Sequence, residues 1–279
     1  MPTNLPNTGA QIHPENYKFL QEYVYRESGI VLDNDKHYLL EARLTPIVRQ
    51  RQLSSLDDLC ALLQVNGDAP LRRQVVEAMT THETSFFRDP AQYDALRSVV
   101  LPELMQQRRD TRRMSFWSAA ASSGQEAYTL AMLLLEMGLG EWNIQILATD
   151  LSTQVLERAA AGKFLQIEVN RGLPVSYLVK YFTRAGLDWQ LKDQVRRMVK
   201  FVPFDLRQSM RTLGPFDLVF CRNVLIYFDI ESKRKILAEI RETLFGGGYL
   251  LMGGSETTLN LDDRFSRKLI GQAVLYQAP

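Results

Sequence analysis

Residues 116–126 have the sequence Phe-Trp-Ser-Ala-Ala-Ala-Ser-Ser-Gly-Gln-Glu. The segment from Arg113 to Ser118 has the composition of a buried strand, and helical periodicity begins at Gln125. The loop between them contains only alanine, serine and glycine, so a ligand can lie against its backbone where the helix starts. It lacks the G-x-G-x-x-G pattern that favours a dinucleotide pyrophosphate. Taken alone, the segment fits a cofactor loop and a tight structural turn about equally well.

Strands and helices alternate on both sides of this loop. The predicted order is helix 93–108, strand 113–118, helix 125–137, strand 144–149, helix 153–161, strand 216–221, helix 231–244 and strand 249–253. Such alternation predicts an α/β fold built on a doubly wound, mostly parallel sheet. Two strand-like pieces around Gly271, within residues 265–277, predict a terminal antiparallel pair. Residues 173–204 interrupt the alternation, and strand-like segments at 181–183 and 194–202, with a turn near Ala185-Gly186, predict a small antiparallel β subdomain.

The first third of the chain carries helical periodicity only. Helices are predicted over residues 16–28, 35–51, a segment opening at 55, and 71–79, with a turn over 66–70. Gly29 ends the first, Asp33 or Asn34 caps the second, and Ser55 caps the third with Asp58 in the capping-box position. The chain therefore divides into an N-terminal all-α domain over 1–79, a linker over 80–92 and the α/β domain over 93–279.

Composition excludes several classes of protein. The chain has 279 residues and a formal net charge of +1, which gives no sign of nucleic-acid binding. Residues 1–14 are polar and do not show the basic start and apolar core of a signal peptide. The apolar run Leu130–Leu135 is too short to cross a membrane. Two cysteines and three scattered histidines predict neither a disulfide framework nor a metal site. We therefore expect a cytoplasmic protein without direct membrane insertion.

Polar residues follow the predicted strands at the edge where open α/β sheets bind ligands. Asp150 ends one strand, where an acid accepts hydrogen bonds from ribose hydroxyls or caps the following helix. Arg222 and Asn223 end another, and Tyr227 follows four residues after Asn223. Arg88, in the linker, has the planar guanidinium that orients carboxylates, although a lone linker arginine is more often part of a surface ion pair.

Five motifs in this order resemble the CheR family of chemotaxis receptor methyltransferases. They are Glu-Thr-Ser-Phe-Phe-Arg at 83–88, Trp-Ser-Ala-Ala-Ala-Ser-Ser-Gly at 117–124, Ala-Thr-Asp at 148–150, Phe-Asp-Leu-Val-Phe-Cys-Arg-Asn-Val-Leu-Ile-Tyr-Phe at 216–228, and Gly-Gly-Ser-Glu at 253–256. The resemblance implies a Rossmann-like class I methyltransferase domain. It also implies transfer of a methyl group from S-adenosyl-L-methionine to glutamate side chains on the cytoplasmic helical bundle of chemotaxis receptors, with S-adenosyl-L-homocysteine as product.

The resemblance also implies the site residues. Arg88 and Tyr227 would lie closest to the transferred methyl group. The residues that would contact the cofactor are His82, Thr84, Arg88, Glu126, Asp150, Asp205, Leu206, Arg222 and Asn223. Three positions depart from the family pattern, which commonly has Asn at 82, Glu-Glu-Pro at 125–127 and, in many relatives, Asn at 205; this chain has His82, Gln125-Glu126-Ala127 and Asp205.

Two further expectations concern the receptor. The turn within residues 182–189 lacks the glycine-rich loop of relatives that bind a pentapeptide tether at receptor C-termini, so we expect a tether-independent enzyme. An acidic helical substrate needs a basic docking face, and the second helix supplies candidates, although a solvated helix face has the same composition. The docking candidates are Lys36, Arg43, Arg49 and Arg51.

Other functions remain open at this stage. A nicotinamide-dependent oxidoreductase has the same sheet topology but normally carries the glycine pattern that is missing here. A nucleic-acid methyltransferase would carry an Asp/Asn-Pro-Pro-aromatic motif and a basic excess, and this chain has neither. A non-catalytic adaptor that keeps the fold and binds signalling partners is compatible with the departures at His82 and Gln125.

Overall fold

The computed structural model describes residues 12–33, 35–65 and 68–279. These residues form two compact units. The helical unit contains the described residues up to Thr81 together with Tyr227–Asp229, and the sheet unit contains His82–Ile226 and Ile230–Pro279. Most of the polar start, the predicted cap Asn34 and the turn residues 66–67 lie outside the described residues. None of the helices in the described ranges combines the length and apolarity that a membrane crossing requires.

Four helices make up most of the helical unit: α1 (Pro14–Ser28), α2 (His37–Gln50), α3 (Leu56–Gln64) and α4 (Ala69–Met79). Gly29 ends α1 in the left-handed conformation, and Ser55 and Asp58 form the predicted capping box of α3. The predicted cap Asp33 was wrong, because α2 begins after Lys36, and the Asp33 carboxylate instead accepts a hydrogen bond from Lys36 Nζ (2.6 Å).

The sheet unit alternates helices and strands in the predicted order. Its elements are α5 (Pro90–Ala95), a π-helical turn (Leu96–Val100), α6 (Leu101–Gln107), β1 (Arg113–Ala119), α7 (Gln125–Glu136), a 3₁₀ turn (Leu139–Glu141), β2 (Asn143–Asp150), α8 (Thr153–Ala161), β3 (Lys163–Phe164), α9 (Gln166–Asn170), α10 (Val175–Tyr181), β4 (Phe182–Ala185), β5 (Asp188–Leu191), α11 (Asp193–Arg196), β6 (Val199–Pro203), β7 (Phe216–Cys221), a 3₁₀ turn (Leu225–Tyr227, whose last residue belongs to the helical unit), α12 (Ile230–Glu242), β8 (Leu244–Met252), β9 (Ser266–Ile270) and β10 (Ala273–Gln277).

Seven strands form one sheet in the order β6-β2-β1-β7-β8-β10-β9. The first five are parallel, and β10 runs antiparallel to both β8 and β9. The doubly wound, mostly parallel fold and the terminal antiparallel pair are therefore confirmed. Ala119 of β1 lies in register with Thr149 of β2 and Cys221 of β7, so the carboxyl ends of these strands meet at one edge.

The strand predicted over residues 194–202 was partly wrong. Residues 193–196 form the short helix α11, and β6 joins the main sheet parallel to β2, where Phe201 is in register with Ala148. The small antiparallel sheet has the order β3-β5-β4 instead and therefore lies within residues 163–191. The predicted turn near Gly186 is confirmed, since Gly186 has a φ of 67° between β4 and β5.

Candidate active site

The loop after β1 folds back against the end of β2. Ala120, Ser122 and Gly124 all have positive φ values, of 68°, 51° and 91°. The amide of Ala121 donates to the carbonyl of Thr149 (2.7 Å), and the amide of Ser122 donates to Asp150 Oδ2 (2.9 Å). A β-carbon at Gly124 would lie 3.1 Å from that of Ala159, so glycine suits this position for space as well as for conformation.

Asp150 is buried at the end of β2 with both carboxylate oxygens anchored. Oδ2 accepts the Ser122 amide, and Oδ1 accepts the amide of Ser152 (3.0 Å). The helix-cap interpretation fails for Asp150, because Ser152 itself caps α8 by accepting the amide of Val155 (3.2 Å). Each carboxylate oxygen has two lone pairs, so Asp150 retains acceptor capacity for ligand hydroxyls.

Glu126 and Arg222 form a buried ion pair between α7 and the end of β7. Arg222 Nη1 donates to Glu126 Oε2 (2.9 Å), and Ser118 Oγ donates to Glu126 Oε1 (2.7 Å). The Arg222 side chain is only 2% exposed. Burial opposes its charged form, but Glu126, Tyr93 and Asp89 together raise the pKa of Arg222, so the guanidinium stays ionised. Its Nη1 and Nη2 groups are thus bound to protein groups, whereas its buried Nε has no hydrogen-bond partner among the described residues.

The linker before α5 is fastened to the same edge. Ser122 Oγ donates to the carbonyl of His82 (2.9 Å), and Phe86 is fully buried against the rings of Phe164 and Phe182. The half-buried Thr84 and Arg88 lie on either side of Phe86 along the chain. The linker therefore borders the loop after β1, and it contains His82, Thr84 and Arg88.

Arg88 lies between two residues in an unusual backbone conformation. Phe87 and Asp89 have φ values of 48° and 61°, in the left-handed region that costs a non-glycine residue about 1–3 kcal/mol. Among the described residues, the Arg88 guanidinium makes a single hydrogen bond, from Nη1 to the carbonyl of Glu83 (3.0 Å). Most of its donors remain available for another group.

Glu256 joins the segment after β8 to the segment after β7. Its carboxylate accepts the backbone amides of Asn223, Val224, Leu225 and Gly253 at 2.7–3.1 Å. This holds Asn223 at a φ of 57°. Asn223 Oδ1 is buried and has no hydrogen-bond partner among the described residues, so it is an acceptor that a ligand donor would satisfy.

Asp205 and Leu206 follow β6 next to the end of β2. The amide of Phe204 donates to the Asp150 carbonyl (2.9 Å), which places this segment beside Asp150. The Asp205 carboxylate is engaged by Arg207, whose Nη2 lies 2.6 Å from Oδ2. Leu206 is buried.

Two family models match the chain. The CheR methyltransferase SAM-binding domain matches residues 82–272, and the CheR methyltransferase all-alpha domain matches residues 15–80. The chain belongs to the CheR methyltransferase family. This confirms the resemblance read from its motifs and the prediction of S-adenosyl-L-methionine as cofactor.

Curated relatives of this CheR protein extend over nearly all of it. Chemotaxis protein methyltransferase 1 of Pseudomonas aeruginosa is 40% identical, over 94% of this chain and 97% of its own length. Chemotaxis protein methyltransferase of Vibrio parahaemolyticus is 38% identical, over 97% and 99% respectively. Among solved structures, the glycopeptide N-methyltransferase MtfA with S-adenosyl-L-homocysteine is 17% identical over 71% of this chain and 61% of that one, with a TM-score of 0.38.

The sheet unit of this CheR protein fits its cofactor. S-adenosyl-L-methionine carries a ribose diol and an ammonium group, both of which donate hydrogen bonds. Asp150 has spare acceptor capacity, and Asn223 Oδ1 lacks a donor within the described ranges. The small residues of the loop leave its backbone approachable at the start of α7.

The helical unit holds Tyr227 and the predicted docking residues. The Tyr227 carbonyl accepts the amide of Val31 (2.9 Å). Arg43 is largely engaged, since it donates to the carbonyls of Met79 (2.6 Å) and Thr80 (3.0 Å) and to Thr81 Oγ1. Two other candidates form ion pairs, Lys36 with Asp33 and Arg51 with Asp68. Arg49 is exposed, and within the described part of the chain it forms neither an ion pair nor a side-chain hydrogen bond.

Three residues of this edge were missed by the sequence analysis. Ser118 bonds Glu126, Asp89 bonds Arg222, and Glu256 gathers four backbone amides. Ser118 and Glu256 had a signal, because they lie in the motifs at 117–124 and 253–256. Asp89 acts through Arg222, 133 positions away, and a single sequence does not identify such a partner.

Proposed function

We propose that this CheR protein transfers a methyl group from S-adenosyl-L-methionine to glutamate side chains of chemotaxis receptors, forming glutamyl methyl esters for sensory adaptation. Membership of the family, together with curated relatives named chemotaxis protein methyltransferases, supports receptor methylation. The observation that supports a carboxylate acceptor concerns Arg88, a half-buried residue of the linker whose guanidinium keeps most of its donors available. A planar guanidinium matches the two oxygens of a carboxylate.

Methyl transfer to a carboxylate requires the protein mainly to hold the two reactants in the correct orientation. A glutamate carboxylate is ionised at pH 7, because its reference pKa is about 4.3, and it needs no general base. When bound, S-adenosyl-L-methionine would supply a methyl group carried on a sulfonium; the carboxylate oxygen would take this methyl as its bond to sulfur breaks, which would leave a neutral thioether. Charge disappears in this step, so exclusion of water and correct orientation lower the barrier. Arg88 would orient the acceptor, and binding it too tightly would stabilise the ground state as well.

The cofactor contacts form part of the same proposal. Asp150 would accept the ribose hydroxyls, and Asn223 Oδ1 would accept the ammonium group. Glu126 would contact the cofactor from α7 while its carboxylate stays bound to Arg222. The resemblance implies further cofactor contacts from five residues of the sheet unit, which are His82, Thr84, Asp205, Leu206 and Arg222. The catalytic role that it implies for Tyr227 stays a prediction.

Arg88→Ala is expected to lower kcat about 100-fold, the scale of a misplaced reactive group. S-adenosyl-L-homocysteine affinity is expected to change less than 3-fold, about 0.7 kcal/mol, because the proposed partner of Arg88 is the acceptor. Base-labile incorporation of labelled methyl groups into purified receptor measures the rate, and calorimetry measures affinity. Arg97→Ala, which removes an exposed arginine that forms an ion pair with the exposed Asp94, is the control. Undiminished activity in Arg88→Ala would remove Arg88 from the reaction.

The receptor interface is tested with a receptor lacking its last five residues. We expect unchanged methylation of it, since the turn between β4 and β5 spans only residues 186–187.

Arg49→Glu should raise the receptor KM roughly 3–10-fold on this substrate, because an exposed charge at the rim of an interface contributes about 1 kcal/mol. Lys18→Glu, the same charge change at an exposed side chain of α1, is the control. A large loss on the truncated receptor would disprove tether independence, and equal effects of both substitutions would disprove docking through Arg49.

A further inference from the structure

We propose that Asp89 is a positioning residue for methyl transfer: its carboxylate, bound to the buried guanidinium of Arg222, fixes the linker backbone so that the Arg88 side chain faces the acceptor carboxylate. The inference rests on the role proposed for Arg88. It assigns Asp89 a task in the reaction without contact with substrate or cofactor.

One amino group of Arg222 holds two neighbouring linker groups. Arg222 Nη2 donates to Asp89 Oδ2 (2.6 Å) and to the carbonyl of Arg88 (2.7 Å). Its two hydrogens are therefore both committed to the linker. The other amino group binds Glu126 on α7, which orients the guanidinium from the opposite side. The clamp formed by Asp89, Arg222 and Glu126 thus joins the linker to the sheet edge.

The backbone on either side of Arg88 needs such a clamp. Phe87 and Asp89 have positive φ values, although neither is glycine. Strained conformations of this kind persist where surrounding contacts over-determine them. On one side the Phe87 amide donates to Thr129 Oγ1 (3.3 Å), and on the other Asp89 is tied to Arg222. Pro90 then begins α5, which fixes the direction of the chain.

The two ends of the clamp differ in solvent exposure. The Arg222 side chain is 2% exposed, whereas that of Asp89 is 46% exposed. Arg222 is therefore the buried partner fixed within the sheet unit, and Asp89 is the linker residue that binds it. Arg88 gains a fixed backbone while its own guanidinium keeps most of its donors. A fixed backbone with an available side chain suits orientation of an acceptor.

Asp89→Asn tests the charge of this clamp, because asparagine keeps the size and the tolerance for a left-handed backbone. We expect kcat for receptor methylation to fall about 10-fold, with the receptor KM and the affinity for S-adenosyl-L-homocysteine each within 2-fold of wild type. Asp89→Glu, which retains the charge, should recover kcat to within about 3-fold. Asp94→Asn removes an exposed carboxylate on α5 that pairs with Arg97 and should leave kcat unchanged.

A double-mutant cycle separates positioning from general damage. If Asp89 acts through Arg88, then Asp89→Asn adds less than a 2-fold loss to Arg88→Ala. An undiminished kcat in Asp89→Asn, a full further 10-fold loss in the Arg88→Ala background, or a failure of Asp89→Glu to recover activity would each overturn the inference. Wild-type activity of Arg88→Ala itself would instead overturn the proposed role of Arg88, so the two failures are distinguishable.

Discussion

Asp150→Ala is expected to weaken the binding of S-adenosyl-L-homocysteine by about 10²–10⁴-fold. Hydrogen bonds to charged groups contribute roughly 1.5–3 kcal/mol each, and Asp150 is proposed to accept two from the ribose diol. The substitution also releases the Ser122 amide, which Asp150 holds at 2.9 Å, so the loop that faces the cofactor loses its anchor. Calorimetric titration of the product into wild-type and variant protein measures the change.

Asp205→Ala is the matched control for this titration. Asp205 also follows a strand at the same edge of the sheet, but its carboxylate is engaged by Arg207 in a fork of hydrogen bonds. We expect its removal to change the affinity less than 5-fold, about 1 kcal/mol. If Asp150→Ala bound the product as well as Asp205→Ala does, Asp150 would be only a structural anchor of the loop, and the proposed ribose contact would be wrong.

Local signals in the sequence predicted much of this architecture. Gly29, Ser55 and Asp58 mark helix ends through backbone conformation and capping, which depend on near neighbours alone. Phe216–Cys221 was predicted with its observed bounds because every residue of that strand is buried. The loop at 120–124 was recognised from its small residues, and the ordered set of motifs was enough to identify the family.

Features that depend on partners far away in the chain could not be predicted from a single sequence. Residues 199–202 have a strand-like pattern that suits either sheet, and only the pairing of β6 with β2 assigns them to the main one. Arg43 was predicted to face a receptor, yet its guanidinium binds the carbonyls that end α4. Basic residues near a helix face are ambiguous in this way, because a helix carboxyl end attracts them as readily as an acidic partner does.

Gly172→Ala is expected to destabilise the sheet unit by about 2–6 kcal/mol and to lower kcat. Gly172 has a φ of 86°, where a side chain costs about 1–3 kcal/mol. An added β-carbon would also overlap the carbonyl oxygen of Phe86 and lie 3.2 Å from its carbonyl carbon. Because this neighbour is backbone, relief requires the linker to move, at a further cost of about 1–3 kcal/mol typical of overpacking. Phe86 precedes Arg88 by two residues, so the displacement would reach the proposed catalytic guanidinium.

Gly186→Ala measures the first contribution alone, so its difference from Gly172→Ala gives the second. Gly186 also has a positive φ, of 67°, but an added β-carbon there meets no atom of the described residues within 4 Å. It should therefore lose only the conformational cost and retain full kcat. Urea unfolding followed by circular dichroism gives the two free energies, and receptor methylation below the unfolding transition gives the two rates. Equal destabilisation of both variants would mean that moving the linker away from the added carbon costs no free energy. That result would contradict the clamp on residues 86–89, since a freely moving linker cannot hold Arg88 in place.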